Sequence, residues 1–337
     1  MTAPAFPLQR DGVDGPRRIR SRPHPSDRLF RGASRGVGAL VLVLTGAIGV
    51  FLAVQVIPVV HHYGFKYFTT PQWDVENNRV GVAAAIFGSV EVAIVALSVA
   101  FPLAITTALF ITEYSPRRLK PLFVSMVDLM AAVPSIVYGL WGFYILQGQG
   151  LNVARWLAEW FSFIPLFKVD ANPHSAPFLK PQFTESAFIA GLVVAMMVIP
   201  LACAVMRGVF DQAPAGEREA ALALGSTRWG VIQSVVLPFG RGGIIGGTML
   251  GLGRALGETV AVLITLSQID KINPHVLQNG GVTVSSLIAD HFGDANRGVQ
   301  LEALLAAGFV LFVMTLCVNT IAGIIVTRSR SGAATEI

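Results

Sequence analysis

The chain has 337 residues, 53% of them hydrophobic and only 13% charged, with a mean hydropathy of +0.62 and a formal net charge of +5. A soluble domain carries about 25% charged residues, so half that share excludes an ordinary soluble enzyme and points to a bilayer protein. The basic residues are spread loop by loop and not gathered on one patch, which excludes a nucleic-acid partner.

Residues 1–35 are rich in Arg, Pro and Gly and poor in apolar side chains, the composition of a disordered tail. Gly36–Val60 follows without a charge and exceeds the roughly 20 residues that cross ~30 Å of hydrocarbon as a helix. It is too long, and too far from the N-terminus, for a cleavable signal peptide. Val80–Thr112, holding Glu91, and Pro121–Ala154, holding Asp128, predict a second and a third span. The loop Gln147–Phe183 places Trp156 and Trp160 one helical turn apart, which predicts a short helix lying in the membrane interface. Pro165, Pro173, Pro177 and Pro181 predict an extended remainder. Ser186–Met206 is a charge-free fourth span, and Gly242–Ile269, with Arg254 and Glu258, a fifth. The loop Ser267–Gln300 carries "GGVTVSSLIADHFGDA", whose second half predicts a short amphipathic helix. Ala303–Thr327 is the sixth span. The expected fold is an all-α polytopic membrane protein of six transmembrane helices: a tail at 1–35, a membrane domain at 36–328 and a second tail at 329–337.

With the N-terminus inside, the internal segments carry 17 Lys and Arg against seven outside. The positive-inside rule then places both termini in the cytoplasm, as six spans require. Cys203 and Cys317 lie within spans and read as buried small apolar residues, and the six histidines show no ligand spacing, so neither a disulfide nor a metal site is expected.

The segment "EREAALALGSTRWGVIQSVVLP", Glu217–Pro238, faces the cytoplasm in this topology. Ala220, Ala221 and Ala223 let a partner backbone approach closely, Glu217 and Glu219 complement a helix N-terminus, and Gly225 allows a left-handed turn. An ordinary solvated loop helix is the plainer alternative. Glu219-Ala220-Ala221, three residues, Gly225, then Leu237-Pro238 resembles the EAA loop of permease subunits of ATP-binding-cassette importers, with Val235 where that pattern has Ile. "WDVENNRVGVAAAIFGSV", "FPLAITTALFITEYSP", "AAVPSIVYGLWGFYIL" and "GLGRALGETVAVL" are similar to the PstC-type phosphate permeases, from about Trp73 to the last span.

On span five, Gly243, Gly247, Gly251, Arg254 and Glu258 fall on one face at about 100° per residue. That face is either a packing surface with a structural ion pair or a stretch of substrate pathway. In the pathway reading Arg254 receives the anion through its planar fork and Glu258 holds the guanidinium at rest; the resemblance likewise implies translocation residues here. Asp128, Ala132, Ser135 and Gly139 share a face of span three, which Pro134 interrupts, and Glu91, Ser98 and Pro102 a face of span two. Glu91, Asp128 and Ser135 are therefore weaker pathway candidates, with helix packing as the alternative.

The resemblance implies a type I importer fold with its core at about 80–326 and a coupling loop at 212–238. It implies coupling through Glu219, Ala220, Ala221, Gly225, Leu237 and Pro238. The partners it implies are a PstA-type second permease, a dimer of PstB-type ATPase subunits, a PstS-type extracytoplasmic phosphate-binding protein and the bilayer of a bacterial plasma membrane. No phosphate-binding loop of the form G-x-x-x-x-G-K-[ST] is present, so ATP hydrolysis and any cofactor are not expected of this chain. The alternatives are a sulfate or molybdate permease, the sister PstA-type subunit, or an autonomous anion channel or proton-coupled carrier.

Overall fold

Apolar runs that meet no water must close their backbone hydrogen bonds internally, and these do so as helices. A computed structural model of the chain describes residues 25–169, 183–295 and 298–329. Of the expected tails at 1–35 and 329–337, residues 1–24 and 330–337 lie outside the described residues, as does the stretch with Pro173, Pro177 and Pro181; residues 25–35, expected disordered, are helical.

Helix α1 spans Pro25–Tyr63, so it starts before the expected Gly36, and it passes into a 3-10 turn at Gly64–Phe68. Its part up to Val50 is a unit of its own, with Leu40, Leu42, Val43 and Ile48 exposed. From Phe51 onward the chain forms a second unit. A two-residue hairpin, β1 (Trp73–Asp74) and β2 (Arg79–Val80), pairs antiparallel with Trp73 opposite Val80 and Asp74 opposite Arg79. Helix α2, Ala83–Leu109, ends in a π turn at Phe110–Tyr114.

The third span is broken. Helix α3 (Lys120–Ala132) stops, and the chain resumes as α4 (Ser135–Trp141), a π turn and α5 (Gln147–Trp160), at 89° to α3. Pro134 holds Val133 extended, at φ −66° and ψ 128°, and the Tyr138 hydroxyl spans the break by donating to the Met130 carbonyl at 2.8 Å. The bend separates Asp128 from Ser135, so the shared face expected for them does not exist. The Trp156–Trp160 helix is present, but as the continuous end of this span and not as a separate element. Pro165 opens a 3-10 turn, Pro165–Phe167, in place of the extended chain expected there.

Helix α6, Ala187–Phe210, is capped by Ser186, and α7 occupies Ala215–Ala223. Helix α8 (Arg228–Val231), a π turn at Ile232–Val236 and α9 (Leu237–Leu256) then form one rod. The π turn precedes Pro238, which has no N–H for the ladder; the Leu237 N–H bonds instead to the Ile232 carbonyl. The rod ends at Leu256, so the continuous fifth span expected to Ile269 is a correction: after a break at Gly257–Thr259 only a short α10, Val260–Thr265, follows. Helix α11, Val284–His291, is the short helix expected in the last loop, opened by a capping box of Thr283 and Ser286. Helix α12 runs Val299–Ser329. Among the described residues five helices are long and apolar enough to cross a membrane, or six if the bent pair is counted as one span.

Small side chains set the packing. Val92, Ala93, Ala96 and Ala100 of α2 meet Ala187, Ala190, Val194 and Val198 of α6. On its other flank α6 receives the glycine stripe of α9: a Cβ at Gly247 would stand 3.0 Å from the Ala202 carbonyl oxygen, and one at Gly251 2.6 Å from Val198. Cys203 is buried in this region; Cys317, expected buried, is exposed on α12.

Candidate functional site

The motif segment Glu219–Gly225 sits in a short helix with no buried residue. What fixes it is polar. The Arg218 guanidinium donates to the Phe210 carbonyl at 2.6 Å and stands 3.2 Å from the Glu113 carboxylate, tying α7 to the last turn of α6 and to the end of α2. Lys120 and Asp211 pair at 2.7 Å beside it. At its end, Gly225 has φ +86°; its N–H bonds to the Leu222 carbonyl at 2.9 Å, and the Ser226 N–H to the Ala221 carbonyl at 3.1 Å. These two bonds form a Schellman cap, which a glycine in the left-handed region permits. Thr227 then caps α8. Glu219 and Ala220 are exposed and Ala221 is half-buried, while Leu222, Leu224 and Trp229 expose 51%, 88% and 51% of their surface. Three large apolar side chains around an Ala-rich helix form an exposed apolar patch. The other end of the motif is anchored: Val236 is fully buried with Phe210, Met206 and Ala108, Leu237 packs against them, and Pro238 follows inside the rod.

The pathway candidates divide. Gly243, Gly247 and Gly251 face α6, so the glycine stripe is a packing surface. Arg254 is exposed on the last turn of α9, just before the break. Glu258 is not one turn further along the same helix. It lies in the break, 8% exposed; its backbone carbonyl accepts from the Ser285 hydroxyl at 2.7 Å, and its carboxylate lies 3.5 Å from the Ala261 N–H. No ion pair joins Arg254 to Glu258 among the described residues. The two half-helices that follow the breaks, α4 and α10, lie against each other: a Cβ at Gly139 would stand 3.0 Å from the Ala261 Cα. Ser135, half-buried, opens α4 one turn before Tyr138. Arg254, Tyr138, Ser135 and Glu258 thus belong to one region where both interrupted spans meet.

Asp128 is elsewhere. It pairs with Arg207 of α6 at 3.3 Å, its own side chain 55% exposed and the arginine's 14%. Glu91 is buried, its Oε1 without a hydrogen-bond partner among the described residues, whereas Ser98 and Pro102, expected on its face, are exposed. Sequence reasoning passed over Tyr138, the Arg218–Glu113 tie and Ser285. Only Tyr138 had a local signal, its position one turn after Pro134.

Residues 82–331 match the family described as binding-protein-dependent transport system inner membrane component. The chain belongs to that family. The matched stretch holds α2 to α12, with the α7 cap and the region of the two breaks. Among its members, phosphate transport system permease protein PstC 2 of Mycobacterium tuberculosis is 38% identical over 299 residues, 88% of this chain and 90% of its own length. PstC of Mycobacterium leprae is 39% identical over 88% and 92%, and PstC of Pasteurella multocida 35% over 90% and 93%. Within the family this chain therefore falls among the PstC permeases. Solved structures share the fold. A bacterial ABC transporter for import of the acidic polysaccharide alginate aligns with TM-score 0.53 at 18% identity, over 92% of this chain and all of its own. An inward-facing MetNI methionine ABC transporter aligns with TM-score 0.50 at 12% identity, over 74% and 95%.

Proposed function

We propose that this chain is one of two membrane-spanning subunits of an ATP-driven importer of inorganic phosphate in the bacterial plasma membrane, with both termini and α7 in the cytoplasm. A PstA-type permease, two PstB-type ATPase subunits and a PstS-type phosphate-binding protein complete the assembly. The observation that carries this reading is mechanical. The α7 cap at Gly225 leads directly into the α8–α9 rod of 29 residues, roughly 43 Å long, whose far end bears Arg254. ATP binding closes the ATPase dimer and displaces α7 through Glu219, Ala220 and Ala221. The rod, anchored at Leu237 and Pro238, carries that displacement to the region of the two breaks.

There an exposed guanidinium suits a tetrahedral oxyanion, to which it can donate two parallel hydrogen bonds. Ser135 offers a hydroxyl at the start of α4, after the first of the two breaks. Glu258, buried in the break, is the counter-charge that a turn of α10 brings toward Arg254 after the anion leaves. Asp128 serves packing through Arg207. Glu91 is a pathway residue only if protonated or paired, because a bare carboxylate repels the cargo. The names of the PstC relatives favour phosphate over sulfate or molybdate.

Cysteine crosslinking tests the coupling. Ala221→Cys, paired with a cysteine in the ATPase groove, is expected to crosslink in an ATP-dependent manner and to block phosphate uptake. An assembled complex in which Ala221→Cys never crosslinks to the ATPase sinks the assignment.

A further inference from the structure

A polar cavity, of about 490 Å³, opens at the end of the second unit opposite α7. Its lining includes His62, Lys66, Thr70, Gln72, Asn78 and Arg79. Its place follows from α2: the far end of that helix, at Glu113, touches Arg218 of α7, whereas the hairpin that walls the cavity precedes its first turn. The cavity also adjoins the last turn of α1, where the apolar run ends in His61, His62 and Tyr63, so it lies at headgroup depth.

The hairpin holds its cation in place. Asn77 donates from its backbone to Asp74 Oδ1 at 3.0 Å and from its side chain to Oδ2 at 2.7 Å. Asn78, at φ +55°, turns the chain into β2, and its side-chain oxygen meets His62 Nε2 at 3.2 Å. The hydrogen bonds from Asn77, and to a lesser degree the charge of Arg79 on the facing strand, hold the Asp74 carboxyl below the usual carboxylate range. Neither Lys66 nor Arg79 makes an ion pair within 4.0 Å among the described residues. Two cations without an ion pair within 4.0 Å among the described residues, Arg79 facing Asp74 across the hairpin, and several hydrogen-bonding side chains therefore line one concavity, whose volume lies in the range of roughly 300–1,000 Å³ typical of small-ligand sites.

We infer that this cavity binds a phosphate-bearing anion, either the headgroup of an anionic lipid or free inorganic phosphate at the membrane surface, through Lys66 and Arg79. The geometry suits a compact anion: Arg79 supplies a planar fork, Lys66 a mobile point charge, and Thr70 and Gln72 line the remaining wall. The site is separate from Arg254 and does not depend on the transport reading.

The test uses the full-length chain in neutral detergent, delipidated, in an Arg254→Gln background so that binding near the two breaks is not counted. The unfolding midpoint is followed against inorganic phosphate, with sodium chloride at matched ionic strength as control. In a second arm the protein is placed in nanodiscs of phosphatidylglycerol or of a phosphate-free diglycosyl diacylglycerol. A rise with inorganic phosphate identifies the free anion; a rise in phosphatidylglycerol discs alone identifies the lipid. Either supports the site if Lys66→Gln/Arg79→Gln weakens apparent affinity by roughly tenfold or more per cation removed and Lys66→Arg retains it. Both side chains are exposed, so the variants are expected to fold; the single changes serve if the double variant does not. Equal response to chloride, no rise in either arm, or equal behaviour of variant and parent overturns the proposal. So does a variant that keeps phosphate binding but loses capture of an acidic extracytoplasmic protein.

Discussion

Replacing Gly225 by valine attacks the α7 cap without touching anything else. A Cβ at this position meets no atom within 4 Å, so the cost is conformational and not steric. At φ +86° an L side chain costs roughly 1–2 kcal/mol, and β-branching adds to it. Helix α7 has nine residues and none of them buried, so packing does not offset that loss. An energy of about 1–2 kcal/mol changes the capped population by about 5–30-fold. Hydrogen exchange at residue 225 and at Ser226, whose N–H groups make the two capping bonds, should accelerate by about that factor, with amides of α2 and α6 unchanged. ATP hydrolysis by the assembled importer should then proceed with little phosphate uptake. Gly225→Asn should retain most of both properties, since Asn tolerates the left-handed region. Unchanged exchange and normal uptake in Gly225→Val would refute the reasoning.

Arg254→Gln should assemble normally, because its guanidinium makes no ion pair among the described residues, yet lose uptake; Arg254→Lys should keep a fraction of it, and restored transport in Arg254→Gln/Glu258→Gln would contradict the pathway role. Gly88→Ala places a Cβ 2.2 Å from the Val282 carbonyl oxygen, a backbone atom that cannot swing aside, and should lower stability by about 1–3 kcal/mol in thermal unfolding, whereas Gly246→Ala, with open space around it, should be neutral. Single cysteines at Asn77 and Ser226 should react with impermeant reagent from opposite faces of the membrane; labelling from one face overturns the six-span topology.

The helices were legible because charge-free runs of this length have one stable form in lipid, and the EAA spacing located α7 and its turn at Gly225. The breaks were less so. Val133–Pro134 is apolar and Gly257–Thr259 interrupts its apolar run with the single charge of Glu258, and composition does not report direction. Pro134 gave notice of an interruption, but not that it would set the two halves at 89° and separate Asp128 from Ser135. Glu258 left the Arg254 face because the helix ends at Leu256, with the short α11 docked behind it: the Ser285 hydroxyl holds the Glu258 carbonyl, and Ser89 of α2 accepts from the Val284 N–H. Those contacts join residues 27 and 195 positions apart, beyond the reach of any local pattern. The Asp128–Arg207 and Glu113–Arg218 pairs were hidden for the same reason.

Uptake of radiolabelled phosphate into proteoliposomes containing this chain, its sister permease, the ATPase and the external binding protein tests the central claim most directly. The account predicts accumulation that requires ATP, the ATPase and the binding protein, and that excess sulfate or molybdate leaves unaffected. Accumulation that persists without the ATPase, or that carries sulfate in place of phosphate, would contradict it.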